Sequence, residues 1–176
     1  MRNIKKLVFI SLLVSIALII YIIEAQLPVL LAGVPGIKLG LANSISLFAL
    51  LTLGGKEAIL IMILRTLLGS FLGGTMSSFF YSLSGGLLSN IIMIILYNKF
   101  KDNLSIWSIS VCGAVFHNIG QLLVASLVVQ DFRIYLYLPV LMISAIITGY
   151  FIGVTTNYLY NHVKKVPLIS KLKELD

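Results

Sequence analysis

The sequence predicts an all-α integral membrane protein: a compact bundle of six transmembrane helices with both ends of the chain in the cytoplasm. Three observations carry that expectation. Of 176 residues, 59% are hydrophobic and 11% charged, and the mean hydropathy of +1.06 is too high for a soluble surface. The apolar residues fall into six runs separated by Gly, Pro and polar breakers. The basic residues cluster on one side of the layout that these six runs imply.

Taken in order, the runs cover about residues 7–26, 39–53, 57–72, 79–98, 106–129 and 134–160, within a single membrane domain of 1–176. The first follows a basic head and resembles a signal peptide. Its apolar stretch is long and no A-x-A site follows, so it reads as a retained helix. The second follows "LPVLLAGVPGIKLG", whose Pro28, Gly33, Pro35 and Gly36 indicate a structured loop. "LGGKE" reads as a tight turn into the third run, and "LGGTMSS", "NKFKDN" and "QDFR" divide the rest. A bilayer core needs about 20 helical residues. The second and third runs fall short of that, and should be shielded by neighbouring helices. Residues 161–176 form a basic tail.

Six spans place Arg2, Lys5, Lys6, Lys56, Lys99, Lys101, Lys164, Lys165, Lys171 and Lys173 on one side, against Lys38 and Arg133 on the other. That asymmetry puts the larger group in the cytoplasm. It also accounts for the net charge of +7 without nucleic acid as a partner. The one cysteine, Cys112, can form no internal disulfide, and packs as a small apolar residue.

Against this background the polar residues inside the runs are conspicuous. His117 and Gln121 stand at i and i+4 in the fifth run, hence on one helix face, with Asn118 beside them. Arg65 falls midway along the third run, where a fixed charge costs at least ~2.5 kcal/mol on insertion scales. Glu24 ends the first run, and Lys38 and Asn43 open the second. By depth, all seven lie between mid-membrane and the outer surface. They define a candidate ligand-binding cluster, a polar pocket opening outward and roofed by residues 27–37. Interhelical hydrogen bonding is the alternative for any one of them. Small residues form a second pattern, at Gly69 and Gly73, at Ala145, Gly149 and Gly153, and at Ser11 and Ser15. Helix packing accounts for each, and the Ser11–Ser15 pair is also a candidate partner-docking site.

Several activities lack their motifs. There is no P-loop, no H-E-x-x-H, and no paired-aspartate motif to hold Mg²⁺ on a diphosphate. No catalytic residue, metal ligand or cofactor is assigned, and a self-sufficient prenyl diphosphate synthase is not expected.

The segments "PGIKLGLAN", "ILRTLLGS" and "HNIGQLLVA", with "SLSGGLLS" between them, resemble the bacterial membrane family named heptaprenyl diphosphate synthase component I, also called the Gx transporter family. The likeness extends over about residues 5–160. It implies a multi-pass protein of the bacterial cytoplasmic membrane, and roles for Lys38, Asn43, Arg65, His117, Asn118 and Gln121, which lie in the matching segments. The layout is also similar to the substrate-binding S component of energy-coupling factor transporters. That likeness implies an unknown small-molecule ligand and an energy-coupling module of a transmembrane subunit and ATPases. The family name implies instead a membrane subunit for a soluble prenyltransferase in isoprenoid or menaquinone biosynthesis. A partner in membrane quinone or flavin electron transfer is a third reading. S components often carry A-x-x-x-A on their first helix for docking, where this chain has Ser11-xxx-Ser15.

Overall fold

The computed structural model describes residues 2–26, 40–72 and 75–165. Among them are six α-helices and no strand: α1 (Arg2–Gln26), α2 (Asn43–Thr52), α3 (Gly55–Phe71), α4 (Met76–Phe100), α5 (Ile106–Val129) and α6 (Leu138–Val163). A 3-10 helix, Phe132–Tyr137, precedes α6.

The boundaries follow from local chemistry. Thr75 caps α4 and Ser105 caps α5, each side chain accepting the backbone N–H three residues on. Gly54, at φ 110°, makes the turn between α2 and α3, in a region costly for any residue with a Cβ. The first, third and fourth helices begin two to five residues earlier than expected, at Arg2, Gly55 and Met76, and two others begin later. The second helix begins at Asn43 rather than 39, because Gly40 has φ 82° and the chain turns there before winding into α2. The sixth α-helix begins at Leu138 rather than 134, after the 3-10 turn, with Pro139 in its first turn where a missing N–H costs nothing.

Four stretches are long and apolar enough to cross a bilayer: Ile4–Glu24, Met76–Phe100, Ile106–Val129 and Phe132–Val163. They mark a membrane protein. Large apolar side chains such as Leu7, Val8 and Ile19 on α1, and Ile143, Ile147 and Phe151 on α6, face outward. The third helix, at 17 residues, and the second, at ten, are shorter. Ten residues rise only ~15 Å. The second helix nevertheless touches all five other α-helices, and no residue from Gly40 to Gly54 is exposed. A helix too short to span is tolerated here because protein surrounds it.

From α3 to α6 successive helices alternate in direction, and α1 runs alongside α3 in the same sense. Lys6 pairs with Glu57 at 2.8 Å, and Tyr21 packs on Gly69, so α1 and α3 run parallel. Ile94 lies against Gly55, and Met62 against Gly86, so α4 runs back along α3. Met93 covers Gly113 at one level and Gly85 meets Gly120 at another, so α5 opposes α4. Gly149 rests on Val111 and Gly153 on Trp107, so α6 opposes α5. One end of the bundle therefore collects Lys5, Lys6, Lys56, Lys99, Lys101, Lys164 and Lys165, and the other has Arg133 among the described residues.

The apolar interior has two layers. Nearer the lysine-rich end, Leu13, Leu50, Ile61, Met93 and Ile109 pack together with their neighbours. Toward the opposite end, Tyr81, Leu122, Ala125, Ile134 and Leu141 form a smaller group. On α5, His117 and Gln121 fall between Ile109 of one layer and Leu122 of the other. Glu24 on α1, Asn43 on α2 and Arg65 on α3 likewise lie further along the bundle than the residues these helices give to the larger layer.

Candidate functional site

The site is built around the turn that leads into α2. The backbone N–H of Asn43 donates to the carbonyl of Gly40 at 2.9 Å, and that of Ser44 to Leu41 at 3.0 Å. Two charged side chains hold this turn from separate helices. From the end of α1, a Glu24 carboxylate oxygen accepts the Gly40 N–H. From the middle of α3, the Arg65 Nη2 donates to Asn43 Oδ1 at 2.8 Å. Glu24 also lies within electrostatic reach of Arg65. The two opposite charges thus grip one turn at different atoms.

The third wall comes from α5. Gln121 Nε2 lies 2.7 Å from His117 Nε2. With the amide donating, the ring accepts at Nε2 and carries its proton on Nδ1. The imidazole fits between two glycines. A methyl group on Gly40 would lie 2.9 Å from His117 Cδ2. One on Gly85 would lie 2.7 Å from the His117 carbonyl oxygen and 3.0 Å from Cε1. Glycine at both positions lets backbone approach the ring from either side.

Glu24, Asn43, Arg65, His117 and Gln121 are all buried, none more than 6% exposed. The cluster is therefore closed over. Three donors within it, Asn43 Nδ2, Arg65 Nε and the protonated His117 Nδ1, have no hydrogen-bond partner. Further down the bundle, Ser46 Oγ on α2 and Ser89 Oγ and Asn90 Oδ1 on α4 are also buried without partners. Folded interiors hold few such atoms, because an unsatisfied one costs about 1–3 kcal/mol.

Five of the seven residues expected at a ligand site thus meet. Asn118 is buried but turned away, its Nδ2 donating to the Leu141 carbonyl of α6 at 2.8 Å. Adjacent helical residues point about 100° apart, which sends Asn118 to α6 while His117 faces α4 and Gly40. Lys38 and the roofing segment 27–37 lie outside the described residues. Ser11 and Ser15 are exposed on α1, where the Ser15 hydroxyl donates to the Ser11 carbonyl at 2.9 Å. Among the described residues, no three His, Cys, Asp or Glu side chains gather to hold a metal ion.

Sequence reasoning missed the two glycines that seat the imidazole. The signal for Gly85 was the glycine pair of "SLSGGLLS" inside an apolar run, where a helix tolerates glycine only for close approach. Ser46, Ser89 and Asn90 carry no spacing that separates them from ordinary interhelical polar residues.

Fold and cluster together define an all-α membrane protein with a buried polar centre in which the two charges oppose each other. The chain belongs to the heptaprenyl diphosphate synthase component I family, whose pattern it matches over residues 13–159. No curated protein and no solved structure matches it.

Proposed function

We propose that this chain is a membrane-embedded binding component for a small molecule, working without an ATPase of its own. In this reading all six helices are membrane-embedded, with the lysine-rich end in the cytoplasm and the Glu24–Gly40 junction toward the outside. The observation that carries it is the pair of unpartnered donors on Asn43 and Arg65, buried beside Glu24 and His117. Purely structural polar contacts in a membrane bundle would be expected to satisfy themselves. A ligand entering from outside would meet Asn43 and Arg65, with His117 and Gln121 orienting it, once the junction around Gly40 opens. Power would come from a separate coupling module, as in the energy-coupling factor transporters this layout resembles. The exposed Ser11–Ser15 face of α1 is where such a subunit would dock.

The family description supports a second reading. "Component I" names one part of a synthase, so a second component is implied. The chain would then be the membrane subunit that holds substrate or product for a soluble prenyltransferase.

Small molecules extracted from the purified protein distinguish the two. Mass spectrometry of the wild type, of Arg65→Ala and of Arg65→Lys should find a compound retained by wild type and lost from Arg65→Ala, with Arg65→Lys reporting on folding. Full retention in Arg65→Ala would refute the binding reading. A prenyl diphosphate among the retained compounds would favour the synthase subunit.

A further inference from the structure

We propose that the binding site continues one helical turn toward the lysine-rich end, where Asn90, with Ser46 and Ser89, receives a hydroxyl or amine of the same small molecule whose other end meets Asn43 and Arg65. This deepens the binding reading and rests on it.

Helix geometry puts these side chains just below the cluster. Asn43 and His117 both close on Gly40, and His117 closes on Gly85. One turn toward the lysine-rich end from Asn43, Gly85 and His117 stand Ser46 on α2, Ser89 on α4 and Gly113 on α5. Ser89 Oγ lies 3.2 Å from the position a Gly113 Cβ would take. Asn90 follows Ser89, and its Nδ2 donates to the Gly86 carbonyl at 2.9 Å. The rise from the upper level to the lower is about 5–8 Å, a span one small molecule can bridge. Two buried thioethers border the lower level, Met62 over Gly86 and Met93 over Gly113, and such side chains repack readily.

The hydrogen bonds give the two levels opposite chemistry. Above, Asn43 Oδ1 accepts from Arg65, which fixes that amide and leaves Asn43 Nδ2 and Arg65 Nε as donors in want of acceptors. Below, the bond to Gly86 fixes the Asn90 amide and leaves its Oδ1, which can only accept, in want of a donor. Ser46 and Ser89 Oγ are unpartnered too, and all three residues are 0% exposed. Elsewhere in the bundle hydroxyls settle on a carbonyl three or four residues back, as those of Thr52, Ser70, Ser126 and Thr148 do. Ser46 and Ser89 do not. A hydroxyl or amine of the bound molecule would satisfy Asn90 Oδ1 while acceptors at its other end satisfy Asn43 and Arg65.

The test compares compounds extracted from wild type, Arg65→Ala, Asn90→Leu and a Ser46→Ala/Ser89→Ala double variant, each first shown to elute as a single symmetric peak in detergent. The double variant removes only two hydroxyl oxygens, so it decides the matter where Asn90→Leu does not fold. Asn118→Leu is the control, because Asn118 also has a buried unpartnered Oδ1 but bonds toward α6. Wild type and Asn118→Leu should retain one compound in equal amounts. Asn90→Leu and the double variant should retain about tenfold less. Acetic anhydride, which acylates hydroxyls and amines, should modify the extracted compound. Full retention in Asn90→Leu and the double variant, with loss from Arg65→Ala, would overturn this inference and leave the binding reading standing. A retained compound that acetic anhydride does not modify would do the same. No compound in wild type, or equal amounts in every variant including Arg65→Ala, would overturn the binding reading, and this inference with it.

Discussion

Replacing Gly85 by alanine tests how α4 and α5 meet beside the candidate site. The added methyl group would lie 2.7 Å from the His117 carbonyl oxygen, 2.8 Å from Gln121 Cγ and 3.0 Å from His117 Cε1. The nearest of these is backbone, so it cannot swing away as a side-chain tip can. Relieving the contact means separating α4 from α5, where Gly120 already rests against Gly85. Overpacking of this kind costs about 1–3 kcal/mol. Alanine regains about 1 kcal/mol of helix propensity over glycine. The net expectation is destabilisation by up to about 2 kcal/mol, a melting temperature lower by several degrees for a chain of this size. Gly55→Ala is the matched control. Its methyl group meets the Ile94 side chain at 3.1 Å, and that side chain can shift. The change should be within about 0.5 kcal/mol, as for ordinary sites. The assay is thermal unfolding in one detergent, followed by Trp107 fluorescence. If Gly85→Ala melts at or above the wild type while Gly55→Ala is unchanged, α4 and α5 are not packed backbone to backbone here, and the seating of His117 is wrong.

Three further outcomes are expected. Gly40→Ala combines a left-handed backbone position with a methyl group 2.9 Å from His117 Cδ2, so it should lower the melting temperature and reduce retention of any co-purified compound; unchanged retention would remove the α2 junction from the site. Asn118→Leu exchanges one bond to Leu141 for the removal of an unpartnered amide oxygen, so stability should change by about 1 kcal/mol or less and retention should not change. Lost retention would return Asn118 to the ligand. The half-buried Lys6–Glu57 pair should show a coupling energy of about 0.2–1 kcal/mol in a double-mutant cycle, weakening as salt is added; zero coupling at low salt would argue against the parallel pairing of α1 with α3.

Much of this arrangement was legible in the sequence, for physical reasons that can be named. An i, i+4 pair of polar side chains in an apolar run must share a face, so His117 and Gln121 were readable together. Arg65 at mid-helix was readable because a buried guanidinium needs a partner, though that partner, Asn43, could not be deduced from spacing alone. The start of α2 was misplaced because "LGLAN" looks apolar and helix-compatible, and only the left-handed Gly40 reveals the turn. Asn118 was grouped with His117 by adjacency, although one residue of helix carries it to a different neighbour. The full enclosure of α2 was only half foreseen. Its short length called for shielding, but sequence cannot say that all five other helices supply it.

The central claim is that the unpartnered donors Arg65 Nε and Asn43 Nδ2 serve a ligand. The most direct test is a high-resolution cryo-electron microscopy map of the protein as purified from its membrane, bound to an antibody fragment for size. The account predicts non-protein density within hydrogen-bonding distance of both donors, absent from a matching map of Asn43→Asp. A well-resolved map in which protein side chains or ordered water alone satisfy the two donors would contradict it.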